Sequence, residues 1–127
     1  MSLYLRVRGQ LLADGATAAL VGTRVYPTYL PQAPTYPAIT YQRVSNTGQS
    51  GTTALRQTRW QINCWAATYV SAQSLAAAVK SAMEEWTNGS QMPLVKMARV
   101  VNELDDYEPE IDVHRVIIDV LIDTIGD

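Results

Sequence analysis

The chain has a single histidine, His114, and a single cysteine, Cys64, which bounds the chemistry it can do. Nucleophilic catalysis of the serine–histidine–aspartate kind holds a histidine between a nucleophile and a carboxylate. His114 falls in a predicted strand with no nucleophile motif beside it. A zinc site takes three or four ligands, more than one histidine and one cysteine supply. Cys64 lies between Asn63 and Trp65 in an apolar stretch, with no cation or helix terminus nearby to activate its thiol. It is expected to be a buried small hydrophobe. Gly48 and Gly51 fall in a predicted hairpin, not between a strand and a helix, so they form no phosphate-cradling loop. The acidic run Glu103, Asp105, Asp106, Glu108, Glu110, Asp112 is rich enough in oxygen for calcium or magnesium. Its spacing does not match a calcium loop, and Pro109 interrupts it; a solvated hairpin tip is expected. No catalytic residue, cofactor or metal ligand is therefore assigned, and the chain is expected not to be an enzyme.

The elements that would position these residues can be read from periodicity. Tyr4, Val7, Leu11 and Leu12 form one stripe, which predicts a helix over residues 3–13, with Ser2 as its cap. Asp14 can cap a second short helix over 16–21, and Gly22 can end it. Residues 23–26 read as a short extended piece. Four prolines between Pro27 and Pro37 rule out a helix and a central strand there, and predict an extended, polyproline-like surface arm. Residues 38–45 and 55–67 alternate as two antiparallel strands around the uncharged loop 46–53. In the second strand Trp60, Ile62, Cys64 and Ala66 face inward, while Arg59, Gln61, Asn63 and Trp65 face out. Ala72, Leu75, Ala76, Val79, Met83 and Trp86 make the clearest amphipathic helix, over 71–88. Strands follow over 94–103 and 111–125, with the turn at 105–109. The last is apolar on both faces, which predicts a central strand or one covered by a neighbouring subunit. The expected fold is a single α+β domain over residues 1–127. It has a mostly antiparallel four-stranded sheet, with an N-terminal helix and one long amphipathic helix packed on one face.

The chain has 127 residues and a net charge of −2, enough for one core and too little positive charge for general phosphate neutralisation. No apolar run is long enough to span a bilayer. A secretory leader is not expected, because charges interrupt the first eight residues. The charges are unevenly placed. Residues 1–63 carry six arginines against Asp14, a net +5, and residues 64–127 carry four basic residues against eleven acidic ones, a net −7. Two solvated faces explain this; so does head-to-tail packing of subunits.

Several stretches together resemble one family. They are Leu11-Leu12-Ala13-Asp14, residues 19–27, Leu30-Pro31-Gln32, residues 36–45 from Tyr36-Pro37 to Val44-Ser45, and Thr58-Arg59-Trp60-Gln61-Ile62-Asn63-Cys64-Trp65-Ala66 with the alanine-rich helix after it. The pattern is similar to the tail completion, or tail terminator, proteins of long-tailed phages. That resemblance implies a non-enzymatic virion protein of a phage or prophage. It would form a ring, commonly six-fold, at the head-proximal end of the tail, ending tube growth and joining tail to head. The implied partners are further copies of itself, the tail-tube protein and the head-tail connector, with assembly in the bacterial cytoplasm. DNA would pass through the ring without sequence-specific contact, and no membrane is involved. Another neck component, a small-molecule-binding α+β dimer and a nucleic-acid binder are the competing readings.

Interface residues expected on these grounds are Arg24, Tyr26, Tyr29 and Tyr36 around the arm, and Asn46, Gln49 and Ser50 in the loop. Arg56 and Arg59 join them for charge, and Ile117 and Leu121 for the second apolar face.

Overall fold

The structure is a computed structural model that describes residues 3–48, 55–90 and 93–125. Its elements run α1 (Leu3–Ala13), α2 (Gly15–Val21), β1 (Val25–Pro27), β2 (Ala38–Gly48), β3 (Leu55–Ala66), α3 (Tyr69–Met83), β4 (Leu94–Glu108) and β5 (Val113–Ile125). The sheet has five strands in the order β1-β2-β3-β5-β4. It is mixed: β1 pairs parallel with β2, Val25 opposite Ile39, and every other pairing is antiparallel. The expected four-stranded sheet is corrected by that short parallel strand.

One face of the sheet carries the core. Tyr41 of β2, Trp60, Ile62 and Cys64 of β3, Val116, Ile118, Val120 and Ile122 of β5, and Val95 and Ala98 of β4 are all buried. α3 lays Ala72, Leu75, Ala76, Val79 and Met83 on this face. Burying each of the larger of these side chains contributes roughly 1.5–3 kcal/mol. α1 adds Leu3, Val7 and Leu11, one residue per turn along a single stripe. Tyr4, expected in that stripe, is 48% exposed, because Leu3 takes the inward position. The expected cap at Ser2 lies outside the described residues. Arg6 is buried and donates from Nη1 to the Pro93 carbonyl at 2.9 Å, which ties α1 to the start of β4. Asp14 caps α2 as expected: its carboxylate accepts from the Thr17 amide at 3.0 Å and the Thr17 hydroxyl at 2.8 Å.

Three boundaries differ from the periodic reading. α3 is capped by Thr68, whose hydroxyl accepts from the Ser71 amide at 3.1 Å, so it starts before Ser71. It also stops at Met83 and not at Asn88. Glu85 takes a positive φ of 60°, and the chain then runs along β4. The Glu85 amide donates to the Ala98 carbonyl at 2.8 Å, the Ala98 amide donates to the Trp86 carbonyl at 3.0 Å, and Asn88 bridges Val95. Pairing with a strand edge displaces the last helical turn, and Trp86 is buried from an extended segment. The acidic run is mostly strand. β4 continues to Glu108, Asp105 and Asp106 stand opposite Val116 and Arg115, and the turn is 109–112. The arm after Pro27 is not polyproline-like throughout, since Thr28 and Ala33 have φ of 69° and 51°.

Candidate functional site

The residues with chemical potential are placed as structural parts. Cys64 is fully buried, and burial pushes its thiol far above the ordinary range. The His114 ring stands between two tyrosines, 4.8 Å from the Tyr107 ring and 5.9 Å from that of Tyr69. Among the described residues no group of three or more histidine, cysteine or acidic side chains is placed to hold a metal ion. The acidic run is pinned rather than simply solvated. Asp105 accepts from Tyr69 and Gln73 of α3 at 2.9 Å each, and Lys80 pairs with Glu103 at 2.9 Å. Asp112 accepts from the Tyr107 hydroxyl at 2.7 Å.

What the fold leaves available is surface. Alternation along the strands carries a second sheet face, on the side away from the core. Its side chains form a cross-strand network. Trp65 donates from its indole to Thr40 at 3.0 Å, and the Arg115 guanidinium lies over the Trp65 ring at 4.9 Å. Arg115 also pairs with Asp106 and, at 3.0 Å, with Glu108. Arg59 pairs with Asp119 at 2.9 Å, and Gln57 donates to Asp123 at 3.1 Å. Ile117 and Leu121 lie in this face and are half-buried. Partly exposed pairs like these contribute roughly 0–1 kcal/mol each, so their main effect is to hold a defined pattern of charge.

Among the described residues two strand edges lack a partner over part of their length. β1 covers β2 only from Ile39 to Tyr41 and ends at Pro27; the Thr28 amide adds one bond to the Tyr41 carbonyl at 2.9 Å. From Gln42 to Gly48 no described residue pairs with the outer side of β2. Beside this edge opens a groove of about 610 Å³, floored by Tyr4, Pro27, Tyr41 and Trp60 and flanked by Gln42 and Arg43. On the far side of the sheet, residues 85–88 cover β4 as far as Ala98, and the Glu84 carboxylate accepts from the Val100 amide at 3.3 Å. From Asn102 to Glu108 the outer side of β4 has no described strand partner. β5 lies between β3 and β4, so the basic half of the chain occupies one side of the sheet and the acidic half the other.

The expected interface residues are spread over this surface. Arg24 braces the arm internally, donating to the Pro37 carbonyl at 2.9 Å and the Leu20 carbonyl at 3.3 Å. Tyr26 and Tyr36 are half-buried, and Tyr29 is 76% exposed. Asn46 is exposed on the open edge of β2, and Arg56 is half-buried opposite Gly48. Arg59 stands in the charged network, and Ile117 and Leu121 lie on the same face, in a strand interior to the sheet. Gln49 and Ser50 lie outside the described residues. The open edges were not anticipated; the proline ending β1 and the short span of β1 were the available signals.

The family model for tail completion protein gp17 matches residues 6–124. The chain belongs to this family. Its members are phage tail proteins, so the resemblance carried by the arm and the strand-then-helix block is upheld. No curated protein sequence matches the chain. Among solved structures, the fold is shared with a chain of a particle described as "Virion of native gene transfer agent (GTA) particle". The TM-score is 0.76 at 22% identity, covering 94% of this chain and 92% of that one.

In this family member Arg115 links three partners across the uncovered face, and its effect on acid stability can be predicted. The hydrogen bond from Arg115, helped by the Tyr107 amide, holds the Asp106 carboxyl below its ordinary value of 3.8. A folded-state value below the unfolded one means that the ionised form stabilises the fold. That contribution is present above pH 3.8 and is lost as pH falls through the lower folded value. Urea midpoints measured between about pH 5 and pH 2 are expected to fall more steeply for the wild type than for Arg115→Met. Parallel slopes would mean that the pairing is not formed in solution.

Proposed function

We propose that the chain is a non-catalytic virion component that forms a ring, six-fold as the family resemblance implies, at the head-proximal end of the tail. The ring ends growth of the tail tube and presents a surface to the head's connector, and DNA passes through it without sequence-specific contact. The observation behind this reading is that the tail completion model matches residues 6–124, nearly the whole folded domain, so the family's role falls to this domain itself. The similar fold in a gene transfer agent virion supports a place in the particle. Assembly then takes place in the host cytoplasm; among the described residues no helix is long and apolar enough to cross a membrane. The test is deletion of the coding sequence in a producing strain, followed by electron microscopy of the tails. Overlong tails without heads are the expected result. Tails of uniform length that lack heads would assign the protein to another neck position. Normal joined particles would overturn the reading.

A further inference from the structure

We infer that the open edge of β2 in one copy receives the open edge of β4 from the next copy, so that the sheet continues from subunit to subunit. The inference rests on the ring reading above and names the contact that closes the ring.

The two edges match in length, as Gln42–Gly48 and Asn102–Glu108 are seven residues each. They also match in direction. β2, β3, β5 and β4 are successively antiparallel, so β2 and β4 run in opposite senses within one subunit. Rotation about a ring axis leaves each strand's sense along that axis unchanged. β4 of one copy therefore meets β2 of the next antiparallel, the more stable pairing. Because the two edges are different surfaces, the contact is head-to-tail, the kind that closes rings; a two-fold dimer would need a self-complementary patch.

Charge favours the same pairing. Arg43 is exposed on the β2 edge and Arg56 stands opposite Gly48, and neither is in an ion pair among the described residues. The β4 edge carries Glu103, Asp105, Asp106 and Glu108. Arg43 and Asp105 also stand on the same side of the sheet. Arg43 pairs in register with the buried Trp60, and Asp105 bonds to Tyr69 and Gln73 of α3. A sheet continued across the boundary keeps that side common, and with the two edges aligned end to end Arg43 of one copy falls opposite Tyr107 and diagonal to Asp105 of the next, within reach of a long side chain. Strand addition of this kind takes its affinity from main-chain hydrogen bonds and its specificity from flanking side chains. Each edge also carries an irregularity, between Arg43 and Ser45 in β2 and between Val100 and Asn102 in β4. Such bulges discourage indiscriminate edge pairing.

The test uses cysteine pairs and a charge swap on the whole chain. Arg43→Cys, Asp105→Cys and the double variant are treated with a short bismaleimide, both as purified protein and in assembled particles. Buried Cys64 gives no background. The double variant is expected to produce a ladder of covalent multimers up to the ring's full count, and each single variant none. Native mass spectrometry of Arg43→Glu should show assembly weakened about tenfold, with recovery in Arg43→Glu/Asp105→Lys. A closed oligomer with no ladder and no effect of Arg43→Glu would overturn the edge contact and leave the ring reading standing. Dimers from Arg43→Cys alone would overturn it in favour of a two-fold contact. A protein that is monomeric at every concentration and gives no multimers in particles would overturn the ring reading as well.

Discussion

Replacing Trp60 by alanine is expected to lower the stability of the domain by about 3–5 kcal/mol, the range for deleting a large aromatic from a core. Trp60 is only 2% exposed at the middle of β3. Its ring leans on that of Tyr41, with centroids 6.3 Å apart. Its indole N–H donates to the Thr58 hydroxyl at 2.8 Å, and that hydroxyl donates to the Ile122 carbonyl at 3.2 Å. Truncation would open a cavity beside Tyr41 and Ile62, and the sheet backbone, held by pairing on both sides, cannot collapse into it. The Thr58 hydroxyl keeps its bond to Ile122, so the loss is mainly one of packing. Urea unfolding can be followed by the two remaining tryptophans, Trp65 and Trp86. A shifted midpoint at an unchanged slope is expected. A loss under about 1 kcal/mol would contradict the core position.

Gly22→Ala is expected to cost about 1–3 kcal/mol for a reason unconnected with packing. Gly22 ends α2 at φ 60° and ψ −119°, a region closed to residues with a Cβ. An added Cβ would meet only Arg24 Nη1, at 3.8 Å, an ordinary contact. The cost is therefore backbone strain at the joint that turns the chain into β1. Gly9 supplies the control. It sits inside α1 with nothing within 4 Å of an added Cβ. Gly9→Ala is expected to raise stability by about 0.5–1 kcal/mol. Thermal or urea melts that shift both variants in the same direction would refute the conformational account.

How far the residues disclosed this fold follows from the range of each signal. α3 and β3 were legible because their inward residues repeat over four turns and over a dozen residues, long enough for period to dominate. β1 was not, since three residues show no period and their partner Ile39 lies fourteen positions on from Val25. The end of α3 was misread because Asn88 and Gly89 are good stop residues, while pairing with β4 is a tertiary event that no local rule contains. Asp105 and Asp106 favour turns in isolation; Arg115 across the strand and Tyr69 and Gln73 of α3 hold them extended instead. The uneven charge could be counted along the chain. Its spatial meaning needed the strand order β1-β2-β3-β5-β4, which puts the basic strands towards one edge of the sheet and the acidic ones towards the other.

That same insertion of β5 has a consequence for biosynthesis. β5 is translated after every strand it touches, yet it pairs with β3 along its whole length, from Leu55–Ile125 to Ala66–His114. Until it is made, β3 has no partner along its inner edge, and α3 packs on a sheet that lacks β5. At about 5–20 residues per second the chain spends several seconds in that state. The sheet is therefore completed only once β5 has been made, and it depends on contacts between residues far apart in the chain, which are slow to form. A nascent chain stalled before residue 113 would present a sticky half-sheet, and it is at that stage that a holding chaperone would matter most.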